Sequence, residues 1–255
     1  MQERRAVVWA LFLRELRTRF GHYRLGYAWA LLEPVAQVGL LLVIFELVLG
    51  RSADDFSFGA FVICGVTVFA LFSSIVTRSL SAIAANAGLL VHRPVHPVDT
   101  LLARTWLESA IHLSVFVLML AALPAFGDAF AWRGADPLAL ASVLGALLLV
   151  LLGLGLGLMV LGTLSPEAEK ILPVAVRPLY FVSGVFFPLD SVPDPYRQWL
   201  SWNPLTQAIE LLRGALMERY ASELASQQYL WSCAAVALFL GLAAFHRHSP
   251  RGVEA

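Results

Sequence analysis

Arginine side chains beside aromatic ones are the groups of this sequence best suited to binding chemistry. The stretch 17–29 contains Arg17, Arg19, Arg24, Tyr27 and Trp29. A guanidinium group binds carboxylate or phosphate through paired hydrogen bonds, and aromatic rings offer flat apolar faces to sugar rings. The pattern indicates a surface for an anionic sugar or phosphate. An aromatic belt at a membrane interface would account for Tyr27 and Trp29 equally well.

Ionisable residues inside apolar segments form a second candidate group. Arg177 precedes Tyr180 in the segment 171–189, and Glu33 stands near the start of the segment 31–49. A charged side chain at the bilayer centre costs about 2.5–3.5 kcal/mol on insertion scales. It therefore has to face protein, water or a ligand unless it reaches the headgroups. We expect Arg177 and Tyr180 to line a cavity, with Glu33 a further candidate for the same path.

The stretch 190–228 combines exposed aromatic candidates with a helix-start signal. Trp199 and Trp202 either flank the exit of a transport path or anchor the chain at the membrane surface. Asn203 before Pro204 predicts a helix start, because asparagine caps the first amides and proline suits the first turn. We expect this helix to lie on or dip into the outer leaflet, since its apolar residues share one face: Leu205, Ala208, Ile209, Leu212 and Leu216.

Composition indicates which elements position these groups. The chain of 255 residues is 59% hydrophobic and 14% charged, with a mean hydropathy of +0.74, whereas soluble domains are about 45–50% apolar and about 25% charged. This excludes a soluble enzyme. We expect a single all-α integral membrane domain (1–255) with six transmembrane helices of roughly 20 apolar residues each, at about 31–49, 56–76, 107–126, 138–164, 171–189 and 229–245.

Two of the expected helical segments are irregular. The fifth span, 171–189, contains Pro173, Pro178 and Pro188, so we expect it to be broken or re-entrant. Residues 1–28 place apolar side chains on one side of a helix and arginines away from it, which is typical of an amphipathic interface helix. This helix is either a lipid anchor or a cytoplasmic gate.

The basic residues indicate an orientation. With both termini inside, twelve arginines and lysines fall on the cytoplasmic side and five on the outer side, with Arg177 within the membrane. Basic short loops stay in the cytoplasm, so we expect both termini there. We expect no cleavable signal peptide, because Arg14, Glu15 and Arg17 interrupt the first apolar stretch.

The expected cytoplasmic loop 78–104 has the features of a docking element. Prolines end any helix in it and leave a short helical knob with a basic tail. His92 and His96 have the spacing of a metal pair, but Pro94 between them breaks the helix that this spacing requires, so we expect no metal. The candidate residues for contact with another cytoplasmic protein are Asn86, Gly88, Leu89, His92, Arg93, Pro94 and Val95.

The sequence gives weaker support to ATP hydrolysis by this chain, to an intramembrane enzyme and to a noncatalytic scaffold. Lys170 is the only lysine of the sequence and lacks the glycine-rich context of a phosphate-binding loop, so the chain itself does not hydrolyse ATP by that route. An intramembrane enzyme acting on lipid-linked sugar would need paired ionisable groups, for which Glu33 and His112 are the best candidates. A noncatalytic scaffold also fits the composition. The glycines of 153–162 are typical of close helix packing within the chain or, second, of a dimer contact.

Several stretches spread along the chain carry a family resemblance. They are LRELRTRFG (13–21), LGY (25–27) with Trp29, LEP (32–34), RPV (93–95) with Pro97, Asp99, Thr100, Ala103 and Arg104, RPLYF (177–181) and WNPL (202–205). In these stretches the chain resembles the permease subunits of type-2 ABC exporters, specifically those of group 2 capsular polysaccharide export. The resemblance covers nearly the whole chain.

The resemblance implies a homodimer paired with two copies of a separate cytoplasmic ABC ATPase, in the inner membrane of a Gram-negative bacterium. That ATPase would hold ATP and Mg²⁺, and this chain no cofactor. The implied cargo is a lipid-linked acidic capsular polysaccharide, passed to a periplasmic co-polymerase adaptor and an outer-membrane exporter; no nucleic acid is involved. O-antigen exporters share the architecture, so another lipid-linked polysaccharide is the alternative.

The same resemblance implies roles by position. The loop 86–95 would be the coupling helix on the ATPase, the N-terminal helix the gate, and the first and fifth spans the walls of the channel. Our hypothesis is that Arg17, Arg19, Arg24 and Arg177 hold anionic groups of the cargo. Sugar rings would then be guided by Trp29, Tyr180, Trp199 and Trp202.

Overall fold

The computed structural model describes residues 2–20, 28–49, 57–90, 95–126, 128, 130 and 132–248. Regular structure in these ranges is helical. Short 3-10 turns stand at Ala84–Asn86, Leu123–Phe126, Trp132–Gly134 and Leu189–Ser191. The α-helices of the described ranges are α1 (Gln2–Phe20), α2 (Ala28–Leu49), α3 (Phe58–Leu80), α4 (Ala87–Leu90), α5 (Pro97–Ala122), α6 (Pro137–Leu164), α7 (Ala168–Val182), α8 (Tyr196–Ser201), α9 (Pro204–Leu216) and α10 (Gln227–His248).

Four of these helices are long and apolar enough to cross a membrane: α3, α5 with its following turn, α6 and α10. In α2 the apolar stretch is shorter, Val35–Ile44. The 15 residues of α7 extend over roughly 22 Å at 1.5 Å per residue, less than the ~30 Å of a hydrocarbon core. The all-helical membrane architecture is thus supported, and the count of six crossings stays a prediction.

Local capping fixes where several helices begin. Asp136 accepts hydrogen bonds from the amides of Leu138 and Ala139 at the start of α6. Asn203 accepts from the Leu205 amide at 2.9 Å, which confirms the helix start predicted there. The helix that contains the expected span 107–126 begins earlier, at Pro97, because proline suits the first helical turn and the Asp99 carboxylate accepts from the His96 amide.

The segment expected to be broken contains one continuous helix. α7 runs through both Pro173 and Pro178 and ends at Val182. A turn follows in which Gly184 has φ of +70°, a conformation that residues with a Cβ rarely adopt. The interruption of the segment 171–189 therefore lies after the helix and not at its internal prolines.

Helix α3 is the centre of the packing. It is buried along most of its length and contacts α2, α5, α6, α7 and α9. Close approach at its two ends requires glycine. A Cβ on Gly65 would lie 2.6 Å from the Val185 carbonyl oxygen, and one on Gly162 of α6 would meet the Leu80 carbonyl. Gly153 of α6 meets α10 in the same way at Gly241, so the predicted packing role within the chain is confirmed for Gly153 and Gly162 but not for Gly157, where a Cβ would meet nothing within 4 Å.

Helix α9 lies inside the protein, contrary to the expectation that it rests on the outer leaflet. Its apolar face is buried, but so are Gln207, Glu210 and Arg213 on its remaining sides. The Gln207 amide donates to the carbonyls of Ser201 and Leu224. An amphipathic pattern does not reveal what covers the polar face, and here α3 and the turn after α7 cover it.

Candidate functional site

A cavity of about 560 Å³ lies between α2, α3, α5 and α7. Its α7 wall uses positions that recur every three or four residues, which is one face of a helix. These residues are Pro173, Val176, Arg177, Tyr180 and Phe181. The expectation that Arg177 and Tyr180 share a cavity therefore agrees with their placement.

The α3 wall of the cavity carries hydroxyl groups beside the apolar side chains of Val66, Phe69 and Ala70. Ser73, Ser74 and Thr77 line the cavity from α3, with Gln37 of α2 and His112 of α5 beside them. The Thr77 hydroxyl donates to the Ser73 carbonyl at 2.7 Å, as hydroxyls within helices commonly do. Serine, threonine and glutamine can each donate a hydrogen bond to a sugar oxygen or a carboxylate without adding charge.

Arg177 supplies positive charge to the cavity. The ion pairs formed among the described residues do not include it, and its side chain is exposed. A guanidinium without a protein carboxylate partner can bind an anion through two parallel hydrogen bonds. Arg177 is thus placed to hold a carboxylate or phosphate in the cavity.

Tyr180 gives the cavity an aromatic surface and a polar atom. Its ring meets Phe69 edge-on at 4.7 Å and Phe186 at 4.9 Å between ring centroids. The Tyr180 hydroxyl is buried and has no hydrogen-bond partner among the residues that the structure describes. Buried polar atoms are almost always hydrogen-bonded, so this hydroxyl is available to water or to a ligand in the cavity.

The α5 wall is connected to an ion network. His112 Nδ1 lies 2.8 Å from the Glu108 carbonyl oxygen, and the Glu108 carboxylate is 2.9 Å from Arg78 Nε. Glu108 is 2% exposed, whereas the Arg78 side chain is 38% exposed. His112, considered above with Glu33 as a possible catalytic pair, is therefore tied to Glu108. The Glu33 side chain lies outside the described part of the structure.

Among the residues that the structure describes, the candidates Arg17, Trp29, Trp199 and Trp202 do not line this cavity. Arg17 is exposed on α1, and Trp29, the second residue of α2, is 39% exposed. Trp199 and Trp202 are 66% and 74% exposed near α8, away from the cavity lining. The side chains of three candidates lie outside the described residues: Arg19, Arg24 and Tyr27.

The expected docking loop is described in part. The short helix predicted there is present as the turn Ala84–Asn86 followed by α4. Asn86 is buried, and its side-chain oxygen accepts a hydrogen bond from Arg14 of α1 at 2.9 Å. Gly88 faces open space, and Val95 is half-buried. His92, Arg93 and Pro94 lie outside the described residues, and so does the Leu89 side chain.

Arg213, one of the five basic residues expected on the outer side of the membrane, is fully buried. The Arg213 guanidinium donates to the Phe61 carbonyl at 3.2 Å and to those of Gly184 and Val185 at 2.8 Å each. It thereby joins α9 to the first turns of α3 and to the turn that follows α7. The signal in the sequence was a charged pair at positions 210 and 213 of an apolar helix.

The partner of Arg213 is an equally buried acid. Glu210 accepts from Arg213 at 2.9 Å and from the Tyr220 hydroxyl at 2.8 Å. Burial raises the pKa of the Tyr220 phenol, and the Glu210 carboxylate raises it further. Tyr220 is therefore a neutral donor, and the cluster is a closed network that supports the α7 end of the cavity.

Comparison with known proteins identifies the family. The family model described as ABC-2 type transporter matches residues 6–217. The chain belongs to this family. It is 45% identical over 241 residues to the polysialic acid transport protein KpsM of Escherichia coli, covering 94% of this chain and 93% of that protein. It is 27% identical to the capsule polysaccharide export inner-membrane protein CtrC of Neisseria meningitidis serogroup B, with 98% and 93% covered.

A relative of lower identity is named for the export of a different polymer, O-antigen. The O-antigen export system permease protein RfbA of Klebsiella pneumoniae is 21% identical, covering 89% of this chain and 88% of that protein. These relatives are named as transport or permease proteins. Among the described residues of this ABC-2 chain, no group of three or more histidines, cysteines or acids is placed to hold a metal ion.

Proposed function

We propose that this chain is the membrane subunit of an ATP-driven exporter that moves a lipid-linked acidic capsular polysaccharide out of the cytoplasm across the bacterial inner membrane. The 45% identity to a polysialic acid transport protein over 94% of the chain supports this class of cargo. The single structural observation that carries the proposal is the cavity that Arg177 lines together with three hydroxyl-bearing residues of α3.

The cavity suits an acidic sugar that has to be released again. One arginine supplies the attraction for a carboxylate, while Ser73, Ser74 and Thr77 supply neutral hydrogen bonds and Tyr180 an aromatic face. A site with one cation and several weak partners binds an anionic repeat without trapping it. Arg17, Arg19, Arg24, Trp29 and Glu33 would stand along the approach, and Trp199 and Trp202 near the exit.

The assembly we propose is a homodimer of six-span chains with two copies of a separate ABC ATPase. α1 and the loop 86–95 would face the cytoplasm, and the ATPase would hold ATP and Mg²⁺, with no cofactor in this chain. The first and fifth spans, which include α2 and α7, would line the path. A periplasmic adaptor and an outer-membrane exporter would receive the polymer.

Two variants test the function and the site. Proteoliposomes would contain the chain with the ATPase that co-purifies with it, and the probe would be fluorescent polysialic acid carrying a diacyl phosphate terminus. We expect ATP-dependent transport that Arg177→Ala lowers at least about tenfold, as loss of a charge-assisted contact allows, and that Arg177→Lys restores in part. Equal transport of the acidic probe and of a lipid-linked dextran would instead show that the path does not select for negative charge, which would overturn the assignment of an acidic cargo.

The partner is tested separately. Arg93→Glu in the docking loop is expected to release or uncouple the ATPase, because it reverses the charge of the loop's basic tail. Retained co-purification and retained stimulation of ATP hydrolysis would overturn the assignment of this loop. Absence of any associated ATPase, with no ATP-dependent transport by the unmodified chain, would overturn the proposed function.

A further inference from the structure

Four parts of the chain meet at the end of α3 that leads into the docking loop. Arg104 of α5 donates a hydrogen bond of 2.9 Å from Nη1 to the Arg78 carbonyl, near the end of α3. Its Nε lies 3.0 Å from a carboxylate oxygen of Glu15 on α1. The Arg104 side chain is only 11% exposed. One guanidinium therefore joins α5 to both α1 and α3 through two different nitrogens.

The residue before Glu15 makes the contact with the docking loop. Arg14 donates to the Asn86 side-chain oxygen at 2.9 Å, and the Asn86 amide donates to the Ala82 carbonyl at 2.9 Å. Consecutive helical residues point about 100° apart. α1 is thus held on one side by the loop and on another by Arg104, so a displacement of the loop acts on α1 and through it on α5.

From Arg104 the contacts continue towards the cavity along one face of α5. Arg104, Glu108 and His112 are spaced by four residues, so they stand above one another on the helix. Glu108 pairs with Arg78 of α3, and His112 lines the cavity. The outer surface of α5 is also covered by α1, whose Phe12 and Leu16 pack on Leu107 and Ile111.

We infer that Arg104 is a positioning residue for transport, which transmits the movement of the docking loop through α1 and α5 to the cavity wall. The inference rests on the proposed function, since it needs an ATPase that moves the loop. Arg104 combines a hydrogen bond from Nη1 to the Arg78 carbonyl with an ion pair to Glu15, in which Nε lies 3.0 Å from the carboxylate but has no hydrogen-bond geometry. A lysine keeps the charge but has a single nitrogen, so it cannot hold both contacts at these separate positions.

The decisive measurement is the amount of probe transported per ATP hydrolysed, in the proteoliposomes described above. Arg104→Lys is expected to keep ATP hydrolysis within about twofold of the unmodified complex and to lower transport per ATP about tenfold, within the range of typical coupling free energies. Glu15→Gln, which removes only the α1 contact, is expected to lower the same ratio. The double variant should lower the ratio by less than the product of the two single effects, because both substitutions alter the same contact between Arg104 and Glu15.

Matched controls separate coupling from general damage. Arg219→Lys and Glu169→Gln make the same changes at exposed residues and are expected to leave the ratio unchanged. A purely structural role for Arg104 would lower hydrolysis, transport and thermal stability together and leave transport per ATP constant, which would overturn the inference. If Arg104→Lys does not yield a monodisperse complex, the inference is tested with Glu15→Gln alone, again by the amount of probe transported per ATP hydrolysed. Failure of the unmodified complex to transport with ATP would instead count against the proposed function.

Discussion

Arginines hold both ends of α3, but the two sites differ in burial and in the kind of partner. Arg213 is fully buried and makes its hydrogen bonds to three backbone carbonyls and Glu210. At the other end, the side chains of Arg104 and Arg78 are 11% and 38% exposed, and each pairs with a glutamate.

The difference indicates what each end can do. A guanidinium bound to fixed carbonyls in a dry interior cannot move without leaving buried groups unpaired, which is costly. An ion pair between flexible side chains that keep some exposure, such as Arg104 and Glu15 at 11% and 20%, is held less rigidly than a guanidinium bound to fixed carbonyls. The Arg213 end is therefore a rigid support for the turn after α7, and the Arg104 end is where movement can enter.

The largest effect on stability is expected from Arg213→Met. It removes the cation and one of the two donors of the Glu210 carboxylate and the guanidinium donors of the Gly184 and Val185 carbonyls, and breaking a buried pair in this way costs about 3–5 kcal/mol. The free energy of unfolding is measured by titrating dodecyl maltoside micelles with SDS. Arg219→Met, at an exposed residue, is the matched control and should change it by less than about 0.5 kcal/mol. A loss below about 1 kcal/mol for Arg213→Met would contradict the view of a rigid support.

Close packing should make both ends of α3 sensitive to a single added methyl group. Gly65→Ala would press on Val185, and Gly162→Ala on the Leu80 backbone, and overpacking of this kind costs about 1–3 kcal/mol. Gly157→Ala on α6 is the control, because a Cβ there meets nothing within 4 Å, and helix propensity alone should stabilise it by roughly 0.5–1 kcal/mol. The same titration measures all three, and equal effects would refute the packing explanation.

The starts of the helices and the apolar runs could be predicted because their signals are local. Asn203 and Pro204 define the start of α9 from neighbouring residues, and Arg177 stood out as a charge within an apolar segment. The hydroxyls of Ser73 and Thr77 did not stand out, since serine and threonine in a helix can bond to their own backbone and carry no charge.

The role of Arg213 could not be predicted for a different reason. Its partners Phe61 and Gly184 are distant in sequence, and the pattern of α9 gives an apolar face that fits a membrane surface as well as a protein core. What covers the polar face is decided by α3 and by the turn after α7. The contact between Arg104 and Glu15 is hidden in the same way, because it joins two helices far apart in the chain.

A smaller effect on stability is expected at the other end of α3. Glu108→Gln keeps the shape of a buried side chain but removes the charge that pairs with Arg78. Because Arg78 remains partly exposed to water, the loss should be about 1–2 kcal/mol, below that of Arg213→Met. The micelle titration again measures it, with Glu169→Gln as the exposed control. A loss as large as that of Arg213→Met would place the two ends in one class and remove the distinction drawn between them.

The smallest effect is expected for an arginine that lies in neither cluster. Arg197 of α8 is 3.4 Å from Asp194 and 3.9 Å from Asp190, and both carboxylates are partly exposed. Arg197→Gln leaves these acids in contact with water, so the free energy of unfolding should fall by less than about 0.5 kcal/mol. The reason is general: the cost of removing an arginine depends on what its partners face afterwards, and here they face solvent. A loss above about 2 kcal/mol in the micelle titration would mean that this segment is more buried in the assembled protein than in the single chain.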